Sequence, residues 1–270
     1  MPELPEVETI RRGLERRVRG ARIGEVVIRE TRLRSPVDEG ALRSLEGRTI
    51  RDVSRRAKYL LLDVGDGLVW LLHLGMSGRF LLVDRRAPFE LHEHVRVAVD
   101  GVGALAFRDP RRFGLMRVGR IEDFAELAGL GPEPLDERFD AAALAVRLRA
   151  TERDVKAALL DQRLVAGVGI IYASEICFRA GVRPTRRGHR LTRVEAARVA
   201  LETPAVLKQA VELRGTSFSD YFDLDGVPGE FQTLLWVYDR AGQPCLRCET
   251  TIRLCVHGGR SSFYCPSCQR

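Results

Sequence analysis

The 270-residue chain has no apolar run of the roughly 18 residues a transmembrane helix needs, so a membrane-spanning helix is excluded. No signal segment is expected either, because MPELPEVETIRRGLERR is charged from its third residue onward. A cytoplasmic protein with no membrane partner is therefore expected. No internal repeat and no low-complexity tract occurs, which removes solenoids and fibrous assemblies from consideration. Lysine is scarce: of 44 basic residues only Lys58, Lys156 and Lys208 are not arginine. A net charge of +7 favours a polyanionic partner, but arginine dominance also reflects base composition, so charge alone decides little.

Six cysteines are present, and four of them are paired as CLRC (Cys245, Cys248) and CPSC (Cys265, Cys268), with sixteen residues between the pairs. In a reducing compartment such pairs read as metal ligands more readily than as disulfides. Two knuckles at this separation fit a tetrahedral zinc site of four thiolates, which leaves no open position for catalysis. The expected metal is thus one structural Zn²⁺; disulfides or unliganded thiols are the alternatives. His257, Gly258, Gly259 and Arg260 between the knuckles read as a turn tip.

Val7, Ile10, Leu14 and Val18 recur at helical spacing among arginines, which predicts an opening amphipathic helix. Pro5 and Glu6 suit its first turn. From about Ile23 to Val118 short apolar or alternating runs follow: IGEVVI, KYLLLDV, LVWLLHL, RFLLV, HVRVAV, ALAFR and LMRV. They read as antiparallel strands of a sandwich or barrel. LGPEPL (130–135) marks a boundary, and 136–213 reads as helical, with Pro204 expected to kink or divide its last helix. Residues 214–231 show little periodicity and read as a mobile loop. The fold class is α+β and multidomain, with domains at 1–131, 132–236 and 237–270.

Pro2 stands where removal of the initiator Met would expose a secondary amine. An α-amino group titrates near pH ~8, against ~10.4 for a lysine side chain, so a useful neutral fraction exists at physiological pH. A secondary amine that attacks a sugar C1′ gives an iminium that is cationic without protonation, an electron sink suited to β-elimination. Glu3 and Glu6 lie beside it as candidate acid and base. The alternative is a Pro and two Glu that merely start a helix.

The order and spacing of PELPEVE, HLGMSG (73–78), DPRRFG (109–114), LGPEPL, GVG followed by IYASE (167–175) and the four-cysteine tail resemble the formamidopyrimidine-DNA glycosylase family from residue 2 to residue 270. Leu4 favours the purine-specific branch over the endonuclease VIII relatives, which usually begin PEGPE. The resemblance implies an N-terminal β-sandwich preceded by a helix, a helix-two-turn-helix domain and a zinc-finger hairpin. It implies a bifunctional glycosylase/AP lyase of base excision repair, acting as a monomer on double-stranded DNA that contains oxidised bases or abasic sites.

By the same resemblance, Pro2 is the nucleophile, Glu3 the acid/base acting on the sugar, Glu6 a supporting carboxylate and Lys58 a phosphate contact. Lys156 matches a lysine near the lesion. Met76 fills the gap left by the everted base, Arg111 contacts the orphaned cytosine and Phe113 wedges the stack. This agrees with the few kcal/mol that unstacking costs. His92, Arg112 and Arg260 fit phosphate contacts, and His94 reads as a strand residue. The loop 215–231 matches the lesion-recognition loop.

Three positions depart from the family pattern. Ile170 stands where an Asn usually bonds the lesion's phosphate, Asp239 replaces the Gly of VYGR, and Arg214 stands where Gly often precedes Gly215. Two competing readings remain: a glycosylase for oxidised pyrimidines, and a zinc-containing DNA-binding protein that has lost catalysis.

Overall fold

The opening helix forms as its periodicity requires. In α1 (Leu4–Val18) the stripe Val7, Ile10, Leu14 and Val18 is at most 1% exposed. Arg16 and Arg17 occupy the last turn, where cations complement the helix dipole. Seven strands follow from the expected apolar runs: β1 (Ile23–Ile28), β3 (Tyr59–Asp63), β4 (Val69–His73), β5 (Arg79–Val83), β6 (Glu93–Val99), β7 (Gly103–Arg108) and β8 (Leu115–Gly119). A short helix α2 (Glu39–Arg43) is capped by Asp38, which accepts the Ala41 N–H at 2.9 Å.

An eighth strand, β2 (Asp52–Arg56), has no alternating signal because only Val53 of DVSRR is buried. It forms by pairing with β3, from Asp52 opposite Asp63 to Arg56 opposite Tyr59. The strands make two antiparallel sheets of four, ordered β1-β6-β7-β5 and β2-β3-β4-β8. Both sheets and α1 contribute to one core that includes Leu60, Trp70, Phe80, Val97 and Phe107. Each such side chain contributes about 1.5–3 kcal/mol of burial.

The computed structural model describes residues 2–218 and 221–270. Met1, and Ser219 and Asp220 of the expected recognition loop, lie outside the described residues. The chain divides into two compact units, Met1–Ala128 with Leu213–Glu230, and Gly129–Glu212 with Phe231–Arg270. The segment 213–230, grouped with the helices by the 132–236 boundary, packs with the sheets. The Leu82 N–H donates to the Leu224 carbonyl at 3.0 Å, Arg79 lies over the Phe222 ring at 4.7 Å, and Thr216, Tyr221 and Leu224 are buried. What reads as a mobile loop is in large part packed chain, because these contacts come from residues far away in sequence.

The second unit contains α3 (Ala141–Arg149), α4 (Val155–Leu159), α5 (Ile170–Arg179) and α6 (Arg193–Glu212), then a hairpin of β9 (Arg253–His257) and β10 (Arg260–Tyr264). Of the two outcomes expected at Pro204, a kink or a division, the second does not occur: α6 runs through it. It removes one backbone donor, but the buried stripe Val199, Ala200 and Thr203 continues into Val206, Leu207 and Ala210 beyond it. Packing on both sides holds the segment as one helix. No helix among the described residues is long and apolar enough to cross a membrane.

Candidate active site, nucleic-acid interface and metal centre

At the N-terminus of α1, Glu3 is the N-cap of a reciprocal capping box with Glu6. The Glu3 N–H donates to Glu6 Oε2 at 2.7 Å, and the Glu3 carboxylate accepts the backbone N–H at position 6. The other Glu6 oxygen, Oε1, accepts the Thr216 N–H at 2.7 Å, and the Tyr221 hydroxyl donates to the Glu6 carbonyl at 3.3 Å. Pro2, Glu3 and Glu6 are all buried. Glu6 therefore ties the opening residues to the 213–230 segment. Burial, with the Glu6 charge beside it, holds the Tyr221 phenol well above its ordinary range, so it stays a neutral donor. Gly215, at φ +81°, lies so close that a Cβ there would meet Glu6 Oε1 at 2.6 Å.

Lys58 is half-buried on the two-residue turn between β2 and β3, after Ala57 at φ 52°. Nearby, His73 ends β4. Burial pushes its imidazolium down to about 4, and the charges of Lys58 and Arg34 push the same way. The neutral ring's Nδ1 accepts the Gly75 N–H at 3.0 Å.

Met76 and Phe113 are exposed, at 37% and 41%, and the Arg111 guanidinium lies 4.8 Å from the centre of the Phe113 ring. A hydrophobic core is thus not their place. The turns that bear them are joined by Asp109, which is fully buried. Its Oδ1 accepts the Ser77 hydroxyl at 2.6 Å and its Oδ2 the Gly114 N–H at 2.7 Å. The Ser77 hydroxyl accepts the Arg111 N–H in turn. The Asp109 N–H donates to the His92 carbonyl, and its own carbonyl accepts from His94 Nε2 and the Arg112 N–H. The turns also interlock, since a Cβ on Gly75 would meet the Phe113 carbonyl carbon at 2.4 Å.

His92 and Arg112 are exposed and both have left-handed backbones, at φ 61° and 57°. Such geometry costs about 1–3 kcal/mol and persists where surroundings over-determine it, often at functional sites. Arg112 pairs with Glu30 at 3.1 Å. His94 is a buried β6 residue, as expected. Asp109 and His73 were not singled out in the sequence; the signal available was their place inside DPRRFG and HLGMSG.

In the second unit the four sulfurs of Cys245, Cys248, Cys265 and Cys268 lie within 4.8 Å of one another. Separations of 3.4 Å (Cys248 to Cys265 and to Cys268) and 3.9 Å (Cys245 to Cys268) are far beyond a disulfide's ~2.05 Å. They approach the ~3.8 Å edge of a tetrahedron with Zn–S bonds of about 2.3 Å. The donor set fits one structural zinc. The Arg247 and Cys268 N–H groups point at the sulfurs of Cys245 and Cys265, each at 3.4 Å, as outer-shell donors to thiolates do. Gln269, fully buried, accepts the Cys265 N–H and donates to the Val182 carbonyl, bracing the tail on the turn that follows α5.

The hairpin turn His257–Gly258–Gly259–Arg260 has positive φ at both glycines (57° and 72°), as a type I′ turn demands, and Arg260 is exposed beside it. Lys156 is not an exposed contact. It is buried, and its Nζ donates to the Ser261 carbonyl on β10 at 2.5 Å. Asp154 reaches the same hairpin through His257.

Ile170 is half-buried on the first turn of α5, after the extended N-cap Gly169. Asp239 and Arg214 both have φ 59°, a conformation that suits the glycine the family pattern leads one to expect there. Asp239 follows three residues, Trp236 to Tyr238, whose N–H groups all donate to the buried Glu175 carboxylate at 2.9–3.0 Å. Burial raises the Glu175 carboxyl against the pull of those three donors.

Family models match the three parts of the chain in order. Residues 1–116 match the N-terminal domain of formamidopyrimidine-DNA glycosylase, 130–221 its H2TH domain, and 242–270 the zinc finger found in that enzyme and in IleRS. The formamidopyrimidine-DNA glycosylase of Thioalkalivibrio sulfidiphilus is 47% identical over 272 residues, covering 100% of both chains. That of Thiobacillus denitrificans is 45% identical over 271 residues with the same coverage. The Thermus thermophilus MutM (Fpg) crystal structure superposes with a TM-score of 0.88 at 44% identity, covering 99% of this chain and 98% of that one. A Lactococcus lactis Fpg variant in complex with Fapy-dG-containing DNA gives 0.92 at 33% identity, covering 100% of both. With this sandwich, this H2TH region and this four-thiolate hairpin matched over the whole length, the chain belongs to the formamidopyrimidine-DNA glycosylase family.

Proposed function

We propose that this DNA glycosylase of base excision repair excises oxidised purines, such as 8-oxoguanine and formamidopyrimidines, and then cleaves the strand through an iminium on Pro2. The observation that supports the reading most is the N-terminus of α1, where Glu6 accepts from both the Glu3 and Thr216 N–H groups and so fixes the residues beside Pro2. The proline nitrogen attacks C1′ of the damaged nucleotide, the bond to the base breaks, and the amine's proton passes to the departing base. Glu3 protonates the ring oxygen as the sugar opens, and the product is a cationic iminium. Loss of a C2′ proton expels the 3′-phosphate, and a second elimination expels the 5′-phosphate. Glu6 serves as the supporting carboxylate, since both its oxygens already accept backbone donors.

Eversion of the base leaves a gap that Met76, Arg111 and Phe113 occupy, with Arg111 reading the orphaned cytosine by its base edge. Lys58, His92, Arg112 and Arg260 contact phosphates; Lys156 acts by setting the position of the zinc hairpin. The four thiolates hold a zinc that supplies folding energy and no chemistry. The enzyme works as a cytoplasmic monomer that associates with the nucleoid through DNA.

The reading favours purines because the relatives carry the formamidopyrimidine name and a Lactococcus lactis neighbour is bound to Fapy-dG-containing DNA. Side-by-side single-turnover excision of 8-oxoguanine opposite cytosine and of thymine glycol tests it. Faster release of 8-oxoguanine is expected. Faster release of thymine glycol would move the chain to the endonuclease VIII-like reading, and release of neither would leave a DNA-binding protein without catalysis.

A further inference from the structure

PELPEVE contains a third glutamate, Glu8, that the proposed mechanism does not use. It is 8% exposed, yet it sits among arginines from two elements. Arg11 Nε lies 3.1 Å from each of its oxygens, Arg12 Nε is 2.9 Å from Oε1, and Arg55 Nε on β2 is 3.0 Å from Oε2. Burial opposes the charge, but Arg11 and Arg55 together hold the Glu8 carboxyl below its ordinary range. Arg55 does not stop at Glu8. Its Nη1 donates to the Ala57 carbonyl at 2.8 Å.

Ala57 is the first residue of the two-residue turn that ends in Lys58, and it has a Cβ at φ 52°, where glycine is normally found. A strained non-glycine turn persists only where its surroundings fix it. One group that fixes it here is a guanidinium that donates to the strained residue's own carbonyl and is itself held by a carboxylate on α1. We infer that Glu8 and Arg55 are positioning residues that set the direction of Lys58 from the helix that follows Pro2 and Glu3. The inference rests on the reading of Lys58 as a phosphate contact. A plain helix-to-sheet ion pair would need Glu8 and Arg55, but not the bond onward to Ala57 nor the left-handed turn it holds.

The test is the salt dependence of binding to an abasic-site duplex, measured on the full-length zinc-loaded protein. Each phosphate contact contributes about 0.9 to the slope of log K against log salt. Lys58→Ala should lower the slope by about that amount. Arg55→Lys keeps the charge facing Glu8 but loses the second guanidinium donor, and should lower the slope nearly as far. The double variant should do no more than Lys58→Ala alone. A purely structural ion pair predicts a lower Tm for Arg55→Lys with the wild-type slope, and that result overturns the inference. If Lys58→Ala itself keeps the wild-type slope, the phosphate reading fails and the inference falls with it. Should Arg55→Lys not fold, Glu8→Gln, which keeps an acceptor for Arg55, gives the same readout. A smaller fall in slope supports the inference, and an unchanged slope with a lower Tm overturns it.

Discussion

The β-sandwich around the candidate active site and the cysteine-bearing hairpin solve the same problem by different means. Each must hold exposed turns still. In β6 every residue from Glu93 to Val99 is buried, whereas in β9 none is. The sandwich therefore holds its turns with a large apolar core and buried carboxylates that accept backbone N–H groups, Glu6 and Asp109 above all. The hairpin has a small cluster of Phe178, Val237, Ile252, Phe263 and two of the cysteines, so it needs the metal. Where chain is too short to build a core, ligand bonds take over the work of apolar burial.

Metal removal should break the comparison most visibly. Structural zinc contributes about 10–16 kcal/mol in isolated zinc-finger peptides at neutral pH. Metal analysis should find about one zinc per chain. Chelation, or Cys248→Ser, should abolish DNA binding while the sandwich keeps its aromatic circular dichroism. Simultaneous loss of both signals would show that the two regions do not fold independently.

A change of pH acts on the sandwich instead. The His73 value is lowered from 6.5 to about 4, so its contribution is complete above pH 6.5 and is lost as pH falls toward 4. The size is on the order of 3 kcal/mol. Denaturant titrations across this window should show the loss, and His73→Gln should flatten it. An equally steep acid limb in the variant would assign the effect to other groups.

Asp109→Ala leaves the Gly114 N–H and the Ser77 hydroxyl without their acceptor, at about 1–3 kcal/mol for an unsatisfied buried group. Because these bonds hold the Met76 and Phe113 turns, excision of an intact lesion should fall further than cleavage at a preformed abasic site, where no base needs extrusion. Equal losses on both substrates would make Asp109 a folding residue only.

The smallest expected effect concerns Ile170. A hydrogen bond to charged phosphate is worth roughly 1.5–3 kcal/mol, so Ile170→Asn should tighten binding to an abasic-site duplex about tenfold or more. Unchanged affinity would mean that this position does not meet DNA.

These effects track what the sequence makes legible. Short apolar or alternating runs mark the seven other strands of the two sheets, but DVSRR forms β2 only because β3 lies beside it, and no local pattern records that. The thiolates of the metal site are visible as two knuckles because their ligands come in local pairs. Pro2, Glu3, Met76, Arg111 and Phe113 stand out through motif resemblance. The bonds that hold them do not: Asp109 joins turns 32 residues apart, and Glu6, itself visible in the motif, reaches Thr216 across 210 positions. The bond from Lys156 to the Ser261 carbonyl is likewise absent from the sequence, since the two lie 105 positions apart. Local spacing reports ligands and core stripes; bonds between distant backbone groups become visible only with the fold.

The proposed chemistry depends above all on the amine of Pro2. Borohydride reduction during reaction with an 8-oxoguanine·cytosine duplex should trap a covalent protein–DNA adduct, and peptide mapping should place it at residue 2. An adduct at Lys58, or none under conditions where the strand is cleaved, would contradict the account.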